Sequence, residues 1–323
     1  MKLPRRTFLH LAASAATLPT ISHVAWALDY PTRPVRIVVG FPAGLAPDIV
    51  ARLLGQWLSE RLGQSFIIEN RPGAGSNIGT EIVVKALPDG YTPPMIVSTN
   101  TVNETLYTNL NFDFSRDIAP VASFARTAYV MAVTPSFPAQ TGPEFIAYAR
   151  ANPGKIHFAS GGIGSASHVT AELFKMMADV DLMHVPYRGN YYADVLGGQV
   201  QVVFSPTAGA IGYLRAGKLR ALAVTSAARL EALPDVPALN EFVPGYEATG
   251  WYGIGVPGNT SAEIIELLNK AINAILADPN MKARLADLIL EPMPMTRAEF
   301  GKFVADETEK WAKVIKFANI KAE

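Results

Sequence analysis

Cysteine is absent from this chain, which excludes disulfides, thiolate nucleophiles and Cys-ligated zinc. A charge of one sign is missing too: 28 basic residues face 28 acidic ones, and only 17% of the sequence is charged. Beyond the N-terminal few residues no run of Lys and Arg occurs. That argues against nucleic acid or an anionic membrane surface as partner, because both select basic patches. Past residue 27 the only histidines are His157, His168 and His184, none paired at the i, i+4 spacing of a helical metal site, so no metal and no cofactor is expected. Internal repeats, low-complexity tracts and coiled-coil heptads are lacking as well.

What is present at the N-terminus is a targeting pattern. Arg5-Arg6-Thr7-Phe8-Leu9 precedes an Ala-rich, mildly apolar stretch over residues 11–18, and Ala25-Trp26-Ala27 has the small-x-small form of a cleavage site. This reads as a secretory leader of the twin-arginine type, cleaved near Ala27, with an uncleaved anchor as the alternative. The apolar part is much shorter than the roughly 20 residues a membrane-spanning helix needs. The rest, 49% hydrophobic overall and long enough for two domains, fits an exported, well-packed protein.

From Val35 onward strand and helix signals alternate, the pattern of an α/β protein with mostly parallel sheets. The first unit is a strand over 35–39, a Gly/Pro-rich loop, and a helix to about Leu62 whose apolar positions Ile49, Leu53, Leu54, Trp57 and Leu58 share one face, with Asp48 as its cap. Phe66-Ile67-Ile68-Glu69 is the next strand, and Met95-Ile96-Val97 another, ending in the polar run Ser98-Thr99-Asn100-Thr101 at a position that faces the crevice in open α/β sheets. Pro93-Pro94 marks that strand as starting late or lying at an edge. The chain crosses to a second lobe near residues 126–128 and returns near 250–256. The division is therefore a leader 1–27, one lobe from 28–127 plus 250–323, and a second from 128–249. Capping boxes open helices at Thr141, Thr260 and Thr296.

One stretch organises the rest: a strand over 156–159, the loop Ser160-Gly161-Gly162-Ile163-Gly164-Ser165-Ala166-Ser167-His168, and a helix. Its glycines permit positive φ and close backbone approach, its serines supply hydroxyls, and the helix start offers unpaired N–H groups and the positive end of a dipole. No Lys or Arg lies between Lys155 and Lys175, so an anion here would be held by backbone and hydroxyls. The phosphate-loop and dinucleotide fingerprints do not fit: no Gly-Lys-Ser/Thr follows, and Ser167 stands where the latter needs glycine. A plain strand-to-helix turn capped by Ser165 explains the same residues equally well.

Many short motifs, in order along the chain, carry a family resemblance. Arg36-Ile37-Val38-Val39, Phe41-Pro42-Ala43-Gly44, Glu69-Asn70-Arg71-Pro72-Gly73-Ala74-Gly75, Pro88-Asp89-Gly90-Tyr91-Thr92, His184-Val185-Pro186-Tyr187 and Leu196-Gly197-Gly198-Gln199-Val200 resemble the solute receptors of tripartite tricarboxylate transporters, the Bug family. The resemblance implies a periplasmic binding protein of type II fold, two lobes with a ligand cleft between them, in the periplasm. It implies no enzymatic activity, a small-molecule carboxylate as ligand, membrane transporter subunits as partners, and a monomer.

It also assigns roles. One carboxylate falls to the loop containing Gly162, Gly164, Ser165, Ala166, Ser167 and His168 and to the motif Tyr187-Arg188-Gly189, and the other end of the ligand to Phe41, Ala43, Leu45 and Asp48. Asn100 and Thr101 match a strand-end loop that often contributes, and Ser205 a position that is aspartate in receptors for amino acids. Departures bear on the ligand: Leu45-Ala46-Pro47-Asp48 replaces the family's Gly-Gly-Ala-Thr-Asp, Ser205 cannot balance an ammonium, and Tyr191-Tyr192 occupies a shortened segment. The expected ligand is a non-amino organic acid, dicarboxylic or aromatic. A sensor serving a signalling partner is the alternative. A secreted hydrolase is the remote one, because Gly-x-Ser-x-Gly is absent around Ser165.

Overall fold

The computed structural model describes residues 29–187 and 191–322. The leader and its cleavage site, and Arg188 and Gly189 of the tyrosine motif, lie outside them. Every element below belongs to the unit spanning residues 31–323. Its strands are β1 (Val35–Val39), β2 (Phe66–Asn70), β3 (Pro94–Val97), β4 (Ile118–Val133), β5 (His157–Ser160), β6 (Met183–Pro186), β7 (Val202–Pro206), β8 (Arg220–Val224), β9 (Thr249–Pro257) and β10 (Glu291–Pro292). They are ordered β2-β1-β3-β9-β4-β7-β5-β6, with β8 and β10 also paired to β4.

The expected parallel pairing holds where strands are joined by helices: β1 with β2 and β3, and β5 with β6 and β7. Around the two long strands the pairing is antiparallel instead, so the sheet is mixed. β4 changes partners midway. From Ile118 to Ala128 it lies against β9, and from Tyr129 to Val133 against β7 and β8. One continuous strand therefore belongs to both halves of the sheet, and β9 runs beside its first half.

Local chemistry explains the boundaries. β3 begins at Pro94, where a missing N–H costs no ladder bond, yet it is an interior strand paired on both sides. The helix Ala46–Leu62 has Leu45 as its N-cap residue, not Asp48, and buries Val50, Ala51, Leu54 and Leu58. Its inward face is thus rotated from the expected one, and Ile49 is exposed. At its start Leu45, Ala46 and Pro47 line a cavity.

Two of the apolar clusters packed on the sheet are joined by one helix. Val38, Ile96, Trp251, Phe300 and Val304 form part of one, while Met131, Phe158, Phe174, Phe204 and Trp311 belong to the other. The C-terminal helix Arg297–Phe317 contributes to both, Phe300 and Val304 near its start and Trp311, Val314 and Ile315 near its end. Among the described residues no helix is long and apolar enough to cross a membrane.

Candidate functional site

Three helices begin at the C-terminal ends of parallel strands, and their first residues line one cavity of about 470 Å³. From the β1 side come Leu45, Ala46 and Pro47, opening Ala46–Leu62. The β3 side supplies Ser98 and Thr99, opening Ser98–Leu106. The β5 side supplies Ser165, Ala166 and Ser167, opening Ala166–Ala178. The N–H groups of Ala46, Ser98, Thr99, Ala166 and Ser167 make no hydrogen bond among the described residues. Helix-start donors and the positive ends of three dipoles thus border a common space. None of the described residues lining it carries a formal charge.

The loop before Ala166–Ala178 is held by its own side chains. Ser167 Oγ accepts from Gly161 N at 3.0 Å, Ser160 Oγ from Gly162 N at 3.1 Å, and His168 Nδ1 from Gly164 N at 3.1 Å. Ser165 caps the helix, accepting from His168 N, and its hydroxyl donates to Gly162 O at 2.7 Å. The glycine N–H groups are therefore used up in shaping the loop, and the anion-binding capacity passes to Ala166 and Ser167. Gly164 sits at φ +72° with Leu106 Cδ2 only 2.2 Å from where a Cβ would be, so only glycine fits.

His168, whose Nδ1 holds Gly164 N, is braced from behind. It is 4% exposed and stacks on His184 with ring centroids 3.7 Å apart, and its Nε2 lies 3.7 Å from Glu172 Oε1. His184 in turn bonds Ser160 Oγ at 2.6 Å. Burial, together with the neighbouring His168, pulls the His184 pKa down to about 3, so this imidazole is neutral at physiological pH. Asp48 is likewise structural: it pairs with Arg52 and accepts from Gly44 N at 2.9 Å and Asn70 Nδ2 at 3.0 Å. The Arg52 guanidinium chiefly holds the Asp48 pKa down to about 2, overcoming the desolvation that opposes it.

Of the residues singled out by sequence, the cavity brings together Phe41, Leu45, Gly164, Ser165, Ala166 and Ser167. Ala43, Asp48, Asn100, Thr101, Gly162, His168, Tyr187 and Ser205 are not part of its lining. The helix starts at Ser98 and not after Thr101, so Asn100 and Thr101 turn inward: Asn100 bonds Val97 N and Thr80 Oγ1, and Thr101 bonds Ser98 O. Ser98 and Thr99 face the cavity in their stead. Ser205 is wholly buried behind Tyr191 and Tyr192, whose hydroxyls it bonds, and Tyr191 presents the surface. Tyr187 donates to Asp194 at 2.7 Å beside an adjoining depression that Gly162 and Ile163 also line.

Sequence reasoning placed the whole run Ser98 to Thr101 at the crevice but singled out its second half, where the cavity takes the first; it missed Asn103, Tyr129, Gly250 and Tyr252. The tyrosines come from β4 and β9, whose pairing over long sequence separation leaves no local signal.

The chain resembles known proteins along nearly its whole length. A family model described as tripartite tricarboxylate transporter family receptor matches residues 50–320. Protein BugT of Bordetella pertussis is 32% identical over 294 residues, covering 89% of this chain and 90% of that one. Among solved structures, Rpa4515 of R. palustris with adipate is 35% identical at a TM-score of 0.80, covering 91% of this chain and 99% of that one. MatC of Rhodopseudomonas palustris with bound malate is 29% identical at a TM-score of 0.75, with 88% and 100% covered.

Proposed function

From the receptor family of tripartite tricarboxylate transporters, to which this chain belongs, we propose that it binds a small dicarboxylate in the cavity, without turning it over, and presents it to membrane subunits of a transporter. The observation that carries this reading is the set of unpaired N–H groups at three helix starts around one uncharged space. Ala166 and Ser167 serve one carboxylate, and Ala46, Ser98 and Thr99 the other. Backbone dipoles fixed by the fold replace the water around each anion. Adipate and malate in two similar structures support a ligand with two acidic ends. An amino acid is disfavoured, because among the described residues no carboxylate lines the space to meet an ammonium. The two halves of the sheet close on the ligand as lobes, and the site of action is the periplasm.

Ala166→Pro tests the reading at one atom. Ala166 is the first helical residue, a position at which proline is well tolerated, and Ser165 before it already sits at φ −62°, ψ 155°. The change deletes the free N–H and leaves the helix. Isothermal titration with adipate and malate should show affinity falling by about tenfold or more, the worth of one charge-assisted bond, with no loss of thermal stability. Affinity equal to that of the parent would remove Ala166 from the site, and the reading with it.

A further inference from the structure

Strand alternation places Gly250 and Tyr252 of β9 on one face and Trp251 on the other, where Trp251 packs on Phe300 and Phe303. Gly250 and Tyr252 line the cavity, and so does Tyr129, which stands just past the point where β4 leaves β9. The Tyr129 hydroxyl lies 3.0 Å from the position a Cβ would take on Gly250, so the missing side chain keeps open the space above that hydroxyl. Tyr129 and Tyr252 are 6% and 8% exposed, and neither hydroxyl makes a hydrogen bond among the described residues. By contrast the hydroxyl of Tyr191, which also lines the cavity, is engaged: it and that of Tyr192 both bond Ser205.

Both hydroxyls open on the cavity and are not among the fully buried unpartnered atoms, so a ligand that fills this space without offering them a partner would displace water and leave two buried polar groups unpaired, which is costly. We infer that the hydroxyls of Tyr129 and Tyr252 form a neutral hydrogen-bonding subsite that takes an uncharged oxygen, a hydroxyl or a keto group, on the backbone of the bound carboxylate. The inference rests on the carboxylate reading above and deepens it. Burial pushes both phenols up, Tyr252 to about 12, so they keep their protons and can each donate or accept. The anionic ends of a ligand are better served by the helix starts, where dipoles add to the donors. Between those ends the tyrosine wall offers neutral groups only. A carboxylate with a bare hydrocarbon middle would leave both phenols without partners, and a site of this kind discriminates against the analogue lacking the oxygen more strongly than it could against an extra methylene.

The test uses matched acids that differ by one oxygen: succinate against malate, and glutarate against 2-oxoglutarate. Titration calorimetry on natively purified parent, Tyr129→Phe and Tyr252→Phe gives the ratio of affinities within each pair. In the parent, the oxygenated member of at least one pair should bind about tenfold tighter or more. In each phenylalanine variant that ratio should fall toward one while the plain acid keeps its affinity. Thermal midpoints should not drop, since no intramolecular bond is lost. Equal affinities within every pair in the parent, or a ratio untouched by both variants, would overturn the subsite and leave the carboxylate receptor standing. Failure of all four acids while adipate binds would overturn the subsite alone, and failure of adipate as well would overturn the receptor reading itself, and the subsite with it.

Discussion

At the scale of single residues, the site depends on side chains that do not face it. Asp48 is 2% exposed and does not line the cavity, yet its two oxygens gather Gly44 N, Asn70 Nδ2 and Arg52 and so fix the loop that carries Phe41 and Leu45. Asp48→Asn keeps the shape but replaces one acceptor oxygen by a donor, leaving Gly44 N–H or Asn70 Nδ2 unpaired. The expected cost is about 1–3 kcal/mol, the usual penalty for one unsatisfied buried group. Urea denaturation should show the midpoint shifting down at constant m-value. If the midpoint stayed in place, the carboxylate would not be the anchor of this loop. Gly164 shows the same dependence from the other side: Leu106 fills the space a Cβ would need, so the loop geometry is set by a neighbour 58 positions away in sequence as much as by its own glycine.

At the scale of elements, the unit from β5 through its loop to the helix Ala166–Ala178 is stapled by a histidine pair, and the pair gives it a pH response. His184 has a folded pKa of about 3, below its ordinary 6.5. The unfolded chain therefore takes up a proton below about 6.5 that the folded chain refuses until near 3, and stability falls as pH falls through that window. Asp48 adds to acid lability at the lower end, because its pKa of about 2 stabilises the fold above its ordinary 3.8 and that contribution fades as pH falls through 2. Thermal midpoints measured from pH 7.5 to 4 should decline, and His184→Gln should flatten the decline between 6.5 and 4 whatever its effect on the absolute midpoint. A slope unchanged by the substitution would place the titrating group elsewhere. The existence of this unit was legible in sequence, because glycine and serine between an apolar strand and an amphipathic helix have a local meaning. So was the family, from short motifs spread along the chain. Which backbone N–H groups stay free was not, since that depends on Ser160, Ser167 and His168 turning back onto the glycines. The roles of Asn100 and Thr101 hung on where one helix begins, and a shift of three residues rotates a helical side chain most of a turn. The cavity wall from β4 and β9 was beyond reach, because residues 129 and 252 meet only through sheet pairing.

At the scale of the whole molecule, the proposed closure has to work through three links. β4 is common to both halves of the sheet, β9 runs beside its first half, and the helix Arg297–Phe317 packs its start in one apolar cluster and its end in the other. Midway along that helix Glu307 accepts from Trp251 Nε1 at 3.3 Å and from Trp311 Nε1 at 2.9 Å, tying β9, between its cavity-lining Gly250 and Tyr252, to the packed end of the helix. A ligand held by helix starts from both halves can favour the closed form only by its differential contacts with that form. Two readouts then follow together. At a ligand concentration of about 100 times Kd, binding to the folded chain alone raises stability by about 2.7 kcal/mol, visible as a higher thermal midpoint. Small-angle scattering under the same conditions should show a smaller radius of gyration if lobes close. A raised midpoint with an unchanged radius would mean that the acid enters a cavity already shaped for it and that the three links hold the halves fixed, which would sink closure while leaving carboxylate binding intact.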